Sequence, residues 1–251
     1  MRFALGIEYI GTHYYGFQSQ IHDQLPTIQE KLESAISKIA NHPVSVIPAG
    51  RTDKGVHATG QVIHFDTDTI RSEYKWLLGI NAYLPKDISI KWIKPVPTDF
   101  HARFSAIART YQYRVFNSPV RSAIFHQRAT LYHSRLDEKI MHQSAQYFVG
   151  KHDFSSFRAI GCQSKTPIRK IDYFNIHRQD NFVILEVRAN AFLHHMVRNM
   201  AGLLLDIGSG KKPTDCIPDI LSFCDRTKAS ITAPAEGLYL TQVDYPENFF
   251  C

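Results

Sequence analysis

The stretch Ala49-Gly-Arg-Thr-Asp-Lys-Gly-Val-His-Ala-Thr-Gly-Gln-Val-Ile-His-Phe65 sets one carboxylate, Asp53, between glycines at 50 and 55, with a cation, Arg51, two residues before it. Glycine reaches positive φ and lets a ligand approach the backbone, so Gly-x-x-Asp-x-Gly reads as a tight loop that presents Asp53. Val44 to Ile47 before it is a short β-rich run closed by Pro48, and Gln61 to Phe65 after it is another strand. A carboxylate on a turn between strands is a candidate reaction centre. A polar turn with no further role has the same composition, because Asp and Gly dominate turns for local reasons.

Working outward, Arg2 to Tyr9 alternates, with Phe3, Leu5, Ile7 and Tyr9 on one face, which predicts a half-buried strand. Gly11 to Gly16 turns the chain. Thr27 with Glu30 three residues on forms a capping-box pattern, and Ile28, Leu32, Ala35, Ile36 and Ile39 recur at helical spacing. A helix from Ser72 to Ala82 and a strand from Ile88 to Ile93 follow, the strand broken by Pro95-Val-Pro97. Asp99 to Ser105 lacks a period and reads as the crossing between two halves.

Thr110 to Phe116 alternates again. Leu136 to Val149 carries the helical stripe Ile140, Met141, Ala145 and Phe148, with Gly150 just past its end. Ser155 to Lys170 is a long, polar, cation-bearing loop, a kind more often functional than idle. Ile171 to Ile176 and Phe182 to Ala189 make a hairpin, and Leu193 to Ile207 a helix stopped by Gly208. On that helix Arg198 falls opposite the core stripe, beside Gly202, where another backbone can approach closely. Strand and helix alternate in both halves, so the expected fold is α+β. It has a largely antiparallel sheet, helices on the outer faces, and two similar halves, 1–105 and 106–251.

The chain holds 29 Lys and Arg against 23 Asp and Glu, a net charge of +6, which suits a polyanionic partner. Its cations alternate with aromatics: Arg103, Arg109 and Arg114 among Phe104, Tyr111 and Tyr113, then Lys165, Arg169 and Lys170, then Lys211 and Lys212. A groove that neutralises phosphates and stacks a base needs both residue types. Cys162, Cys216, Cys224 and Cys251 lack paired or zinc-site spacing and read as reduced thiols. His194 and His195 are adjacent, so on a helix they point about 100° apart, and no metal site is expected. Gly208-Ser-Gly-Lys-Lys212 resembles a phosphate loop only in part: position 205 is Leu, position 212 is Lys, and it follows a helix. No run approaches the roughly 18 apolar residues of a membrane span, and Glu8 comes too early for a signal peptide. The expectation is a cytoplasmic protein with no membrane segment.

Gly50-Arg51-Thr52-Asp53-x-Gly55-Val56-His57-Ala58 resembles the catalytic motif of the TruA family, the tRNA pseudouridine synthases I. Four further blocks resemble that family in the same order. They are residues 4 to 18, Phe100-His-Ala-Arg-Phe-Ser-Ala106 with Arg109-Thr-Tyr-Gln-Tyr113, Asn190-Ala-Phe-Leu-His-His-Met-Val-Arg-Asn199, and Glu236-Gly-Leu-Tyr-Leu240. Lys54 and Phe17 depart from the family pattern outside its catalytic positions. The resemblance implies an active cleft between the halves. It also implies isomerisation of uridine at tRNA positions 38 to 40 of the anticodon stem-loop, a homodimer, and no cofactor.

It implies roles as well. Asp53 is the catalytic carboxylate, Arg198 the cation that keeps it ionised, and Tyr111 the ring that stacks on uracil. Arg51 takes the space of the flipped nucleotide, and Leu238 packs against the base. Arg109, Lys165 and Arg169 are substrate-binding candidates from the cation pattern. Breaking and remaking a glycosidic bond suits a carboxylate acting as nucleophile or base, and extruding the base costs a few kcal/mol of stacking. Two other readings stand beside this one. A glycosidase usually pairs two carboxylates, and no second acid accompanies Asp53. A non-catalytic RNA-binding or RNA-folding module would tolerate loss of Asp53.

Overall fold

The alternation of Arg2 to Tyr9 becomes strand β1 (Arg2–Tyr9), and the capping box of Thr27 and Glu30 opens helix α1 (Ile28–Ala40). These come from a computed structural model that describes residues 1–19 and 25–250; Cys251 lies outside the described residues. Strands β2 (Ile47–Pro48) and β3 (His57–Asp66), helix α2 (Glu73–Tyr83) and strand β4 (Ile88–Val96) follow. Strand β1 pairs antiparallel with β3 on one side and β4 on the other, and β2 pairs with β3 through Ile47↔His64. Strand β4 continues through Pro95, paired with Phe3, where a break was expected. It is an edge strand, a place where proline is tolerated because only one side of the strand has a partner.

The second series begins with β5 (Ala108–Asn117) and β6 (Thr130–Tyr132), then helix α3 (Glu138–Ala145). Strands β7 (Gly150–Asp153), β8 (Ile168–Gln179) and β9 (Phe182–Ala189) and helices α4 (Met196–Gly208) and α5 (Cys216–Phe223) complete it. The sheet order is β5-β9-β8-β7, all antiparallel, with β6 parallel to β5. The fold is therefore α+β with mostly antiparallel pairing. Strands β6 and β7 and helix α5 had no clear pattern in the sequence; each is short, and α5 carries Pro218 in its first turn, where proline is tolerated.

The chain divides into two units, Met1–Ile107 with Leu240–Cys251, and Ala108–Tyr239. Strand β10 (Leu238–Asp244) starts in the second unit and continues in the first, where it neighbours β3. In the first unit one core is aromatic, with Phe3, Phe65 and Trp76 at centroid separations of 5.6 to 5.9 Å. A second core joins Ala4, Ala49, Val62, Phe100 and Ala102 to Trp92, Val243, Tyr245, Phe249 and Phe250. This packing holds residues 240–250 in the first unit, although their place in the chain puts them after the second. Small side chains make it possible, since a Cβ on Gly6 would lie 2.0 Å from the Trp92 indole. The core of the second unit gathers Phe148, Phe154, Phe157 and Phe174 with the buried stripe of α4, and all four phenylalanines are sealed from solvent.

Candidate active site

Asp53 sits on a loop whose shape is set by residues 9 to 17 of the same unit. The hydroxyls of Tyr9 and Thr52 hydrogen bond at 2.8 Å, and burial pushes the Tyr9 phenol up to about 12, so it stays protonated. Gly11 N–H donates to Nδ1 of His57 at 3.0 Å, and Gln61 Nε2 donates to the Gly50 carbonyl at 2.7 Å. Phe17 N–H donates to Thr52 O at 3.0 Å, and Val56 N–H closes the turn on Asp53 O at 3.1 Å. Gly55 has φ +78, as the tight Gly-x-x-Asp-x-Gly reading requires. Space is equally limiting: a Cβ on Gly11 would lie 1.9 Å from Val56 O, and one on Gly16, at φ +91, 2.7 Å from Thr52 O. These contacts hold the backbone on either side of Asp53 against residues 9 to 17. The carboxylate is half-buried, Arg51 is exposed, and the Lys54 ammonium lies 3.8 Å from the centroid of Tyr15.

In the second unit Tyr111 lies on β5 at the rim of the core, 9 % exposed, with Phe192 packed edge-on at 5.1 Å. Arg198 is on the first turn of α4, half-buried, and its Nε donates to the Ala233 carbonyl at 2.8 Å. Gly202, one turn on, is where the backbone approaches: a Cβ there would lie 2.0 Å from Ile231 O. Residues 231 to 234 thus run along the Arg198 face of α4. The Tyr113 hydroxyl donates to Pro234 O at 2.9 Å, tying the same segment to β5 just before Leu238, which is buried. Arg109 donates to the Asn190 carbonyl at 3.1 Å. The second unit therefore brings together the strand of Tyr111, the helix of Arg198 and the segment leading to Leu238.

Lys165 is exposed, whereas Arg169 is only 8 % exposed. Arg169 donates to Thr166 O, Ile168 O and Ser164 Oγ at 2.6 to 2.9 Å, and burial lowers its pKa. With Arg158, which donates to the carbonyls of Cys162 and Ser164, it forms a polar frame inside the 158–169 loop. That loop docks ahead of α4 through Ala159 N–H to His194 O at 3.0 Å. Helix α4 itself starts at Met196, three residues later than its periodicity suggested, because His195 takes the left-handed conformation at φ +61.

Asn199 escaped the sequence reading. Fully buried, it donates to Phe157 O at 2.8 Å and accepts from Thr232 Oγ1 at 2.7 Å and Arg226 Nη2 at 3.0 Å, fixing the approach to Ala233. An amide one residue from Arg198, amid an otherwise apolar helix, was the available signal. The Gly208–Lys212 loop terminates α4, as its position suggested. The N–H groups of Ser209, Gly210, Lys211 and Lys212 all donate to helix carbonyls between Leu205 and Ile207, which occupies the donors a phosphate cradle needs. No helix of the described residues is long and apolar enough to cross a membrane.

The profile of the tRNA pseudouridine synthase family matches residues 6–105 and 144–246, and the chain belongs to that family. Among its relatives is tRNA pseudouridine synthase A of Histophilus somni (strain 129Pt), 55 % identical over 99 % of this chain and 92 % of that one. Proteins of the same name from Shewanella piezotolerans and Cronobacter sakazakii are 53 % and 51 % identical. Each alignment covers 99 % of this chain, and 95 % and 92 % of theirs respectively.

Proposed function

We propose that this chain, an isomerase of the tRNA pseudouridine synthase family, converts uridine to pseudouridine at positions 38 to 40 of the anticodon stem-loop. Family membership across both units carries the reaction class. The backbone-locked presentation of Asp53 supports that residue as the carboxylate that attacks the ribose or the base, or removes a proton. Arg198 is the cation that keeps Asp53 ionised in a site from which water is excluded. Tyr111, held at its edge by Phe192, stacks on the uracil; Leu238 packs against the base, and Arg51 takes the space of the flipped nucleotide. Arg109 and Lys165 contact RNA phosphate. Arg169 acts for the substrate through the loop it supports, which fits its burial and its three bonds to that loop. The enzyme works in the cytoplasm as a homodimer.

The test is pseudouridine mapping on unmodified tRNA incubated with wild type and with Asp53→Asn, without added cofactor. Wild type is expected to convert positions 38 to 40. The variant should bind tRNA within about twofold of wild type yet lose at least the roughly 10²- to 10⁴-fold that a positioned acid or base contributes. Tight, salt-sensitive binding with no conversion by wild type would favour an RNA-binding module, and release of free uracil a glycosidase.

A further inference from the structure

At the end of β5 the second unit carries a cleft of about 320 Å³ lined by Asn117, Ser118, Pro119, His133, Arg135 and Arg178. We infer that this cleft holds a backbone phosphate of the substrate RNA, several nucleotides from the reacting uridine. The inference rests on the tRNA-modifying reading above.

The cleft is built around a fixed guanidinium. Arg178 Nε donates to Glu138 at 2.9 Å, and its Nη2 donates to Leu136 O at 2.8 Å and Asn117 Oδ1 at 3.2 Å. These bonds leave Nη1, with two protons, as the edge without a protein acceptor among the described residues. Asn117 is fixed in turn, its Nδ2 donating to the carbonyls of Tyr132 and Ser134 at 3.0 and 2.7 Å. A guanidinium held in this way loses little conformational freedom when it meets a phosphate oxygen.

Arg135 stands at the mouth, exposed and without a hydrogen bond or ion pair among the described residues. His133, which also lines the cleft, is exposed. No carboxylate lines the cavity. Two carboxylates of the adjoining chain are already engaged, Glu138 with Arg178 and Asp137 with the N–H groups of Lys139 and Ile140 at the start of α3.

Position separates this cleft from the reaction centre. Tyr111 and Asn117 are six residues apart on one strand, so about 20 Å separates them at the rise of an extended chain. That is farther than one nucleotide spans, so a phosphate bound here positions the RNA and leaves the chemistry alone. Arg135 and Arg178 variants should accordingly affect binding and its salt dependence but not turnover at saturation.

The experiment measures tRNA affinity by filter binding from 50 to 200 mM KCl, together with pseudouridine kinetics, for wild type, Arg135→Ala, Arg135→Glu and Arg135→Lys. Arg135→Glu is expected to weaken binding roughly 5- to 10-fold at 100 mM salt, and Arg135→Ala to lower the slope of log K against log salt by about one. Arg135→Lys should restore most of the affinity, and kcat should stay within about twofold throughout. Arg178→Lys keeps the charge but loses the fork and its bonds to Glu138, Asn117 and Leu136. Its thermal midpoint should fall, and tRNA binding should be weaker even at temperatures where circular dichroism shows it fully folded. Unchanged affinity and slope in both Arg135→Ala and Arg135→Glu would overturn the inference. So would loss of inorganic phosphate binding in these variants with tRNA affinity intact, which would mark a site for free small anions. Because affinity is read directly, a wild type that binds tRNA without converting it would sink the proposed reaction while the cleft is still judged on its own variants.

Discussion

At the scale of single residues, what distinguishes Asp53 from any aspartate on a turn is the number of distant groups that hold its loop. The motif around it was legible because its two glycines and the neighbouring Arg51 lie within a few positions. The reason Gly11 must be glycine was not, because Val56, whose carbonyl it touches, is 45 residues away in sequence. Gly11→Ala puts a methyl 1.9 Å from that carbonyl, so the loop has to move. A displacement near 1 Å at a reacting group costs on the order of 10²-fold in rate. Gly11→Ala should therefore lose about 10- to 100-fold in kcat while tRNA affinity stays within twofold. A variant with normal kcat would show that the loop has slack these contacts do not suggest.

At the scale of elements, periodicity identified the long pieces and missed those set by tertiary contact. Helix α1 matched its pattern because the capping box and the apolar stripe are both local. Helix α4 begins late because the apolar spacing of Leu193 and Met196 says nothing of the left-handed turn at His195 between them. The proline that ought to break β4 is harmless on an edge, and edge position cannot be read from one strand. Gly202 is the instructive case: its place one turn after Arg198 signalled a close backbone, and Ile231 supplies it. Gly202→Ala gains helix propensity of up to about 1 kcal/mol, but the methyl must displace residues 231–233 and strain the Arg198 bond to Ala233. We expect the displacement to win, with a net loss of about 1–3 kcal/mol, or a thermal midpoint lower by roughly 3–10 °C in a chain of this size. Activity should fall with it. An unchanged midpoint would mean that the segment beside α4 re-seats without loss.

At the scale of the whole molecule, stability should carry an acid limit written into the first unit. His64 lies on β3 beneath the turn that follows β4, and its Nδ1 accepts from Ala102 N–H at 3.1 Å. His101 accepts from the N–H groups of Arg103 and Phe104 at 3.1 and 3.2 Å. An imidazole nitrogen that accepts cannot also carry a proton, so both rings are neutral while the turn is formed. Burial, with Arg2 and His101 nearby, pushes His64 down to about 4, and burial with Arg2 also lowers His101. In the unfolded chain both return to about 6.5. The unfolded state then binds more protons as pH falls, so the stability from these groups is complete above about 6.5 and, for His64, is lost progressively down to about 4. For His64 alone the full loss is on the order of 3 kcal/mol. Urea unfolding should give a midpoint at pH 5 clearly below that at pH 8. Carboxylates that are paired in the fold make the same qualitative prediction, but their losses are concentrated nearer pH 4. His64→Asn separates the two: its amide oxygen can accept from Ala102 but does not titrate, so the fall between pH 8 and pH 5 should shrink by about half or more. If the variant keeps the wild-type pH dependence, the acid sensitivity belongs to other groups and His64 is only a neutral core residue.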